Sequence, residues 1–290
     1  MTQLSLPRRA PNLSWLLLVP AVALMAGVVY VPLIQSAVRS FGDPPSLQEY
    51  ADLFSDGITM TVFWRTLGSA VVVTLVTLVL GYPYAYMMTR ASARVRGLLM
   101  TVVLVPFWTS AMARNFAWLI LLERNGPVDR IFQFFGIHDV VFYQTTTGVT
   151  IAMTQVMLPF MVLPLYSALA GIDRKLLLAA QGLGSTPVKA FWKVFWPLSK
   201  VGVMSGLVLV FTLSMGFYIT PALLGSPQNS MIAQLISQRA TQLLDFAAAG
   251  ALGTFVLIVT LVLVGMANSQ GGSISAISVV VNTDSPKGNG

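Results

Sequence analysis

The chain contains no cysteine and a single histidine, His138. Disulfides, thiolate chemistry and cysteine-based metal sites are therefore excluded, and a lone loop histidine is more typical of a solvated side chain than of a metal ligand. Charged residues make up only 9% of the 290 residues, whereas soluble proteins carry about 25%. With 56% hydrophobic residues and a mean hydropathy of +0.77, the composition indicates an integral membrane protein without a soluble catalytic domain.

Sequence patterns of several enzyme and carrier classes are also absent. There is no GxxxxGK[ST] phosphate loop, so the chain does not bind ATP in that way. There is no HExxH or GxSxG pattern. The apolar segments contain no Asp, Glu or His, the residues from which intramembrane proton relays are built. An intramembrane hydrolase and a proton-driven carrier are therefore disfavoured.

Six apolar segments are long enough to cross a bilayer, which takes about 20 helical residues. An alternative for the first is a cleaved signal peptide, with Ala21-Val22-Ala23 as a cleavage-like site. The apolar run continues well beyond that site, which favours an uncleaved anchor. The predicted spans are 16–34, 67–88, 98–122, 148–169, 201–224 and 246–268.

The segments between the spans carry further signals. Ser46 and Glu49 form a capping-box pattern, which predicts a short surface helix before the second span. The segment 123–144 is predicted to be a polar loop, with turn chemistry at Asn125-Gly126-Pro127. An amphipathic helix is predicted within 226–245, its apolar side formed by Met231, Ile232, Leu235, Ile236 and Leu243.

The distribution of charge predicts the topology, because Lys and Arg concentrate in short cytoplasmic segments. One set of segments holds one acid, Asp173, against ten bases: Arg8, Arg9, Arg90, Arg94, Arg96, Arg174, Lys175, Lys189, Lys193 and Lys200. This side, with both termini, is predicted to be cytoplasmic. The net charge of +7 therefore follows from topology and does not indicate nucleic-acid binding. The ends are predicted to be a cytoplasmic segment, 1–15, and a disordered Gly/Ser-rich tail, 269–290.

A basic hairpin is predicted between the fourth and fifth spans, within 163–200. Asp173 is positioned to cap a short helix over 174–183, and Gly184 suits the left-handed exit from that helix.

The second helix of this hairpin is predicted from its own caps. Ser185 or Thr186 caps it, Pro187 lies in its first turn, and Pro197 ends it. Its spacing places four apolar residues on one face: Val188, Phe191, Trp192 and Phe195.

The hairpin resembles the EAA loop of ABC-importer permeases. That pattern reads Glu-Ala-Ala, three residues, Gly and, about a dozen residues later, Pro-Leu. The matching residues are Ala179, Ala180, Gly184, Pro197 and Leu198, whereas Leu178 stands at the Glu position. Other stretches resemble the spermidine/putrescine-type branch: 81–90, 105–122, 158–169 and 217–225. The resemblance covers about 16–268, and the branch also includes permeases for opines, other amines, aminoethylphosphonate and ferric iron.

The resemblance implies an all-α membrane protein of the type I ABC-importer permease fold, with a six-helix transmembrane domain over 16–268 in the bacterial inner membrane. It implies a non-catalytic subunit without a cofactor, whose partners are a second permease, two ATPase subunits that bind ATP and Mg, and an extracytoplasmic solute-binding protein. The second permease is either a copy of this chain or a different one, and the spermidine/putrescine-type branch favours a different one. The EAA-like loop, 173–200, would couple to the ATPase. The implied coupling residues are Ala179, Ala180, Gly184, Ser185, Pro187, Phe191, Trp192 and Pro197.

Candidates for the solute path come from the spans themselves. Arg114 is the single ionisable residue within the predicted spans. It either faces the interior, pairing with solute, backbone carbonyls or another subunit, or extends to the outer headgroups. Trp108, Trp118 and Tyr218 are aromatic candidates; the tryptophans either stack on an amine solute or serve packing. The solute is predicted to be a polyamine or a related amine or opine. The alternative is a secondary transporter or channel not coupled to ATP.

Overall fold

The computed structural model describes residues 14–42, 45–137 and 141–270. His138 and the tail beyond 270 lie outside these residues, as does most of the predicted N-terminal segment. The described residues form helices and no strands. The long helices are α1 (Ser14–Arg39), α3 (Gly57–Arg90), α7 (Thr146–Ala170), α10 (Trp196–Met215) and α13 (Phe246–Gln270). The shorter ones are α2 (Gln48–Ser55), α4 (Ala93–Trp108), α5 (Ala111–Leu122), α6 (Pro127–Phe134), α8 (Arg174–Gly182), α9 (Pro187–Ala190), α11 (Ile219–Leu224) and α12 (Ile232–Thr241).

Two compact units can be distinguished, and the first contains the described residues up to 55 together with 236–255. In this unit the Ser40 and Tyr50 hydroxyls are 2.7 Å apart, which joins the end of α1 to α2. A Cβ atom on Gly250 would lie 2.7 Å from the Ser36 carbonyl oxygen. The glycine therefore permits close contact between α13 and α1.

The second unit contains residues 56–235 and those from 256 onward, and its core is formed by α3, α7 and α10. Methionines of α7 fill the centre of this core, where Met153, Met157 and Met161 are buried. The hydroxyls of Thr66 and Thr74 on α3 donate to the backbone carbonyls four residues earlier, at 2.8 and 2.7 Å. Because these donors are satisfied within their own helix, polar residues can occupy an apolar core.

Among the described residues, five helical segments are long and apolar enough to cross a membrane, and a bent pair could supply a sixth. The all-helical membrane fold is thus confirmed, but the prediction of one continuous third span over 98–122 is wrong. The chain bends by 98° between α4 and the segment that begins at Ala111. Pro106 removes one helical N–H, and the backbone of Thr109 is extended. These two features end α4 in the middle of the predicted span.

Other boundaries depart from the sequence prediction in smaller ways. The second span is longer than predicted because Asp56 caps α3 and accepts a hydrogen bond from the Ile58 N–H at 3.0 Å. The segment 123–144 is not loop throughout, since Gly126-Pro127 begins α6 instead of a simple turn. The predicted helices α2 and α12 are confirmed. Leu243 is wrongly included with the latter, because it follows the helix and is exposed.

Candidate coupling hairpin and solute groove

The first half of the hairpin has the predicted geometry. The Asp173 carboxylate accepts a hydrogen bond from the Lys175 N–H at 2.9 Å and so caps α8. Gly184 has φ of +87°, the left-handed conformation that glycine adopts without strain. The Ser185 N–H donates to the Ala180 carbonyl at 3.0 Å, closing the helix end in a Schellman arrangement. The elbow is therefore fixed by local backbone bonds.

The second half of the hairpin is continuous with the next span. Thr186 caps α9 through its hydroxyl oxygen, which accepts from the Lys189 N–H at 3.4 Å, and Pro187 follows at the first position. A π-helical turn over Phe191–Phe195 then leads directly into α10. The prediction that Pro197 ends this helix is wrong. Pro197 lies in the first turn of α10. The Trp196 N–H donates to the Phe191 carbonyl and closes the π turn. The helix therefore continues through Pro197, although proline has no N–H to donate.

The apolar residues of this arm do not share one environment. Phe195 is buried, and Phe191 stacks on it with ring centroids 5.5 Å apart. Both rings contact Tyr86 of α3 edge-on. Val188 and Trp192, by contrast, are 67% and 58% exposed. The predicted single apolar face is therefore divided, because the π turn adds a residue to the helical turn and shifts its register.

We expect Gly184→Val to impair transport through the backbone alone. No atom lies within 4 Å of a Cβ built at this glycine, so the substitution causes no clash. A left-handed conformation costs a residue with a Cβ about 1–2 kcal/mol. This corresponds to a loss of about 5- to 30-fold in the population of the correct elbow. The resemblance to the EAA loop predicts that ATP-dependent uptake falls accordingly, while membrane insertion stays normal.

Gly184→Asn is the matched control for this prediction, because Asn tolerates the left-handed region. It should retain most of the uptake. Equal uptake in the Val and Asn variants would show that the elbow geometry is not needed for coupling.

An open groove of about 860 Å³ lies along the faces of α3 and α7, in the halves remote from the hairpin. Its lining combines apolar residues with hydroxyls, one amide and one guanidinium group. The polar lining residues are Arg65, Ser69, Thr146, Thr147, Thr150, Thr154 and Gln155. Trp118 reaches the groove from α5 and donates its indole N–H to the Gln155 side-chain oxygen at 2.7 Å. The accessible surface of the groove is nevertheless almost entirely apolar, so what it offers a solute is chiefly a hydrophobic wall that includes Trp118.

Arg65 stands where this groove meets a second cavity of about 490 Å³. Its Nη1 donates to the Ser230 carbonyl at 3.2 Å, and nearby the Ile232 N–H donates to the Thr66 hydroxyl at 2.9 Å. Two hydrogen bonds thus tie the start of α12 and the residues just before it to α3. The side chain lies just outside the predicted span, so the sequence offered no reason to select it.

Of the four predicted solute-path residues, only Trp118 lines the groove. Trp108 is 83% exposed at the end of α4. Tyr218 is half-exposed and immediately precedes α11. Arg114 is half-buried at the bend, where its Nη1 donates to the Pro106 carbonyl at 2.6 Å. This is the contact with a backbone carbonyl that was one of the three interior pairings predicted for Arg114. The sequence prediction missed four groove residues: Arg65, Thr150, Thr154 and Gln155.

Comparison with known proteins agrees with this architecture. Residues 77–270 match the family model described as binding-protein-dependent transport system inner membrane component. The spermidine/putrescine transport system permease protein PotB of Haemophilus influenzae is 29% identical over 255 residues, covering 87% of this chain and 89% of that protein. PotB of Escherichia coli K12 is 32% identical over 203 residues, covering 69% and 74%.

A solved structure of a bacterial ABC transporter that imports the acidic polysaccharide alginate contains a chain of the same fold. The TM-score is 0.71 at 20% identity, with 91% of this chain and 96% of that chain covered. A related structure holds the alginate transporter in complex with its alginate-bound periplasmic protein. The family consists of membrane transport subunits, which are not catalytic. The chain therefore belongs to the family of inner-membrane permease components of binding-protein-dependent ABC importers.

Proposed function

We propose that this permease subunit forms part of the translocation pathway of an importer for polyamines or a related small amine. The observation that carries the proposal is the likeness over most of the chain to permeases of spermidine and putrescine. The groove gives this a physical basis. A ring face attracts an ammonium group with about 0.5–2 kcal/mol, and Trp118 is the aromatic residue that lines the groove.

The assembly that we propose contains this chain, a second and different permease, two ATPase subunits and an extracytoplasmic solute-binding protein. ATP and Mg would be bound by the ATPase subunits. The hairpin, with the eight predicted coupling residues, would contact the ATPase. Of these, Ala179, Gly184, Pro187, Trp192 and Pro197 are exposed and so accessible to a partner. The complex of the alginate transporter with a periplasmic protein supports the solute-binding partner, and the basic charge of the hairpin supports a cytoplasmic location for it.

The guanidinium group of Arg65 favours a second candidate solute, an amine that carries a carboxylate. No carboxylate lines the groove among the described residues, whereas a guanidinium group stands at its end. A carboxylate-bearing amine such as an opine would complement both Arg65 and the Trp118 ring. A polyamine would instead pair with carboxylates outside the groove, such as Asp56 in the adjoining cavity or acids of the partner permease.

The test of the proposed function is co-purification followed by reconstitution. The tagged chain is solubilised from native membranes, its partners are identified, and the complex is placed in proteoliposomes with ATP inside or outside. Uptake of labelled spermidine, putrescine and an opine is then compared. We expect uptake of one of them to require ATP and the binding protein. Uptake that ignores ATP would instead support the secondary-transporter alternative.

Substitutions at Trp118 separate the role of its ring from that of its N–H. Trp118→Leu removes both, and we expect the transport KM for an amine to rise about 5- to 30-fold, the equivalent of 1–2 kcal/mol. Trp118→Phe keeps a ring face and should change KM less. Trp108→Leu serves as the control, because this exposed tryptophan lies outside the groove. A larger effect at Trp108 than at Trp118 would place the path elsewhere.

A further inference from the structure

A third cavity, separate from the groove and from the cavity at Arg65, lies at the opposite end of α3 and α7, beneath the hairpin. Its volume is about 840 Å³, and it is bounded by α3, α7, α8, the start of α4 and the π turn. Unlike the groove, it has a predominantly polar surface. The residues that give it this character are Tyr86, Thr89, Arg90, Arg96, Tyr166, Asp173 and Gln181.

The charges around this cavity do not balance. Arg90 and Arg96 contribute two guanidinium groups, and Asp173 contributes one carboxylate. That carboxylate already accepts the Lys175 N–H as the cap of α8. Arg90 lies 4.6 Å above the Tyr86 ring, a cation–π contact that positions its guanidinium group without neutralising it. The cavity is therefore positive.

The position of the cavity also favours an anion. It lies at one end of the membrane-crossing helices, where lipid headgroups and soluble ions are both accessible. Two arginines from different elements can each offer paired N–H donors to phosphate oxygens. Basic pockets at the cytoplasmic ends of membrane helices are known to receive anionic headgroups. The charge distribution predicts this end to be cytoplasmic.

We propose that this cavity binds a phosphate-bearing anion, held by Arg90 from α3 and Arg96 from α4 beneath the α8 helix. Because Gln181 of α8 lines the same cavity, the anion also contacts the hairpin and bridges it to the end of a span. It thereby restricts the movement of α8 relative to α3, and the occupancy of the cavity tunes the coupling of the hairpin. The anion is the phosphodiester of a lipid headgroup or a soluble phosphate.

Leu178 provides a substitution that tests the proposal without removing an arginine. This residue of α8 lines the cavity and is 65% exposed, so a longer polar side chain is accommodated there. Leu178→Glu brings a carboxylate into the cavity and should compete with the anion. Leu178→Gln has nearly the same shape and no charge, and it is the matched control.

The experiment uses the full chain in nanodiscs that contain phosphatidylcholine with or without phosphatidylglycerol. Retained lipid is measured by native mass spectrometry after detergent release. We expect the wild-type chain to retain phosphatidylglycerol preferentially. This preference should decrease about fivefold or more for each positive charge that is removed or negative charge that is added. It should therefore decrease in Arg90→Gln/Arg96→Gln and in Leu178→Glu, but not in Leu178→Gln. Thermal unfolding of each variant verifies folding. If the arginine variant fails to fold, the Leu178 pair decides the outcome.

A second arm separates the two sources of phosphate. Inorganic phosphate is titrated against the chain in phosphatidylcholine nanodiscs, and binding is followed by the shift in thermal unfolding. A shift that disappears in Leu178→Glu, without selective lipid retention, identifies a soluble anion. Selective lipid retention that added phosphate does not displace identifies a headgroup. The absence of charge-dependent binding in both arms, or equal binding in the Glu and Gln variants, would overturn the proposal.

Discussion

Gly202→Ala should push α10 away from α7 and lower both the stability of the protein and its transport activity. A Cβ at this position would lie 2.5 Å from the Ala168 Cβ and 3.3 Å from the Pro164 carbonyl oxygen. Neither atom can move away without displacing the backbone, so the helices must separate. Overpacking of this kind typically costs about 1–3 kcal/mol, and this contact lies in the helical core. The yield of monodisperse protein after detergent extraction and its thermal midpoint should both fall, together with uptake.

The contact itself supplies the control. Ala168→Gly removes the opposing methyl group, so the double variant Ala168→Gly/Gly202→Ala should regain much of the lost stability. Gly265→Ala tests the general effect of adding a methyl group to a helix, because nothing lies within 4 Å of a Cβ at that glycine. Failure of Ala168→Gly to improve the Gly202→Ala variant would mean that the clash is not the cause.

Arg114→Met should destabilise the bend between α4 and α5 while leaving the transport KM nearly unchanged. The guanidinium group donates to the Pro106 carbonyl, which also accepts from the Thr109 hydroxyl at 2.7 Å. These donors replace helical N–H groups that the end of α4 cannot supply. Loss of a charged hydrogen bond costs about 1.5–3 kcal/mol. The thermal midpoint of the purified chain should decrease, and uptake should fall through the amount of folded protein.

Arg114→Lys is the appropriate comparison, because it keeps a cation and a donor but loses the planar guanidinium group. It should recover part of the stability. A raised KM with unchanged stability in the Met variant would instead assign Arg114 to solute binding. That outcome would also restore the solute-path role predicted from its position within an apolar segment.

The elbow of the hairpin was predictable because its determinants are local. Asp173, Gly184 and Thr186 each act on backbone groups within five residues, so their types and spacing are sufficient. The positions of the prolines were less informative about where helices end. Pro197 was expected to end a helix and lies inside one, whereas Pro106 stands near a true break. A proline constrains one hydrogen bond but does not determine how the surrounding backbone compensates.

The π turn and the groove could not be predicted for a different reason. The π turn accompanies the packing of Phe191 and Phe195 against Tyr86, a residue more than a hundred positions earlier in the chain. The groove likewise combines residues of three helices. Trp118 was selected for its aromatic character, but Gln155 is an uncharged residue in an apolar segment and becomes informative only through its hydrogen bond to that ring.

The uninterrupted helical path from Pro187 to Met215 has a mechanical consequence. It contacts α7 closely at Gly202 and Gly206, which lie about 25 Å from its hairpin end and about 17 Å from its other end at 1.5 Å per residue. If the helical path moves as a rigid body about this contact, its two ends move in opposite directions. Displacement of the hairpin in one direction would move the start of the α11 segment, near Tyr218, in the opposite direction by about two-thirds of the distance.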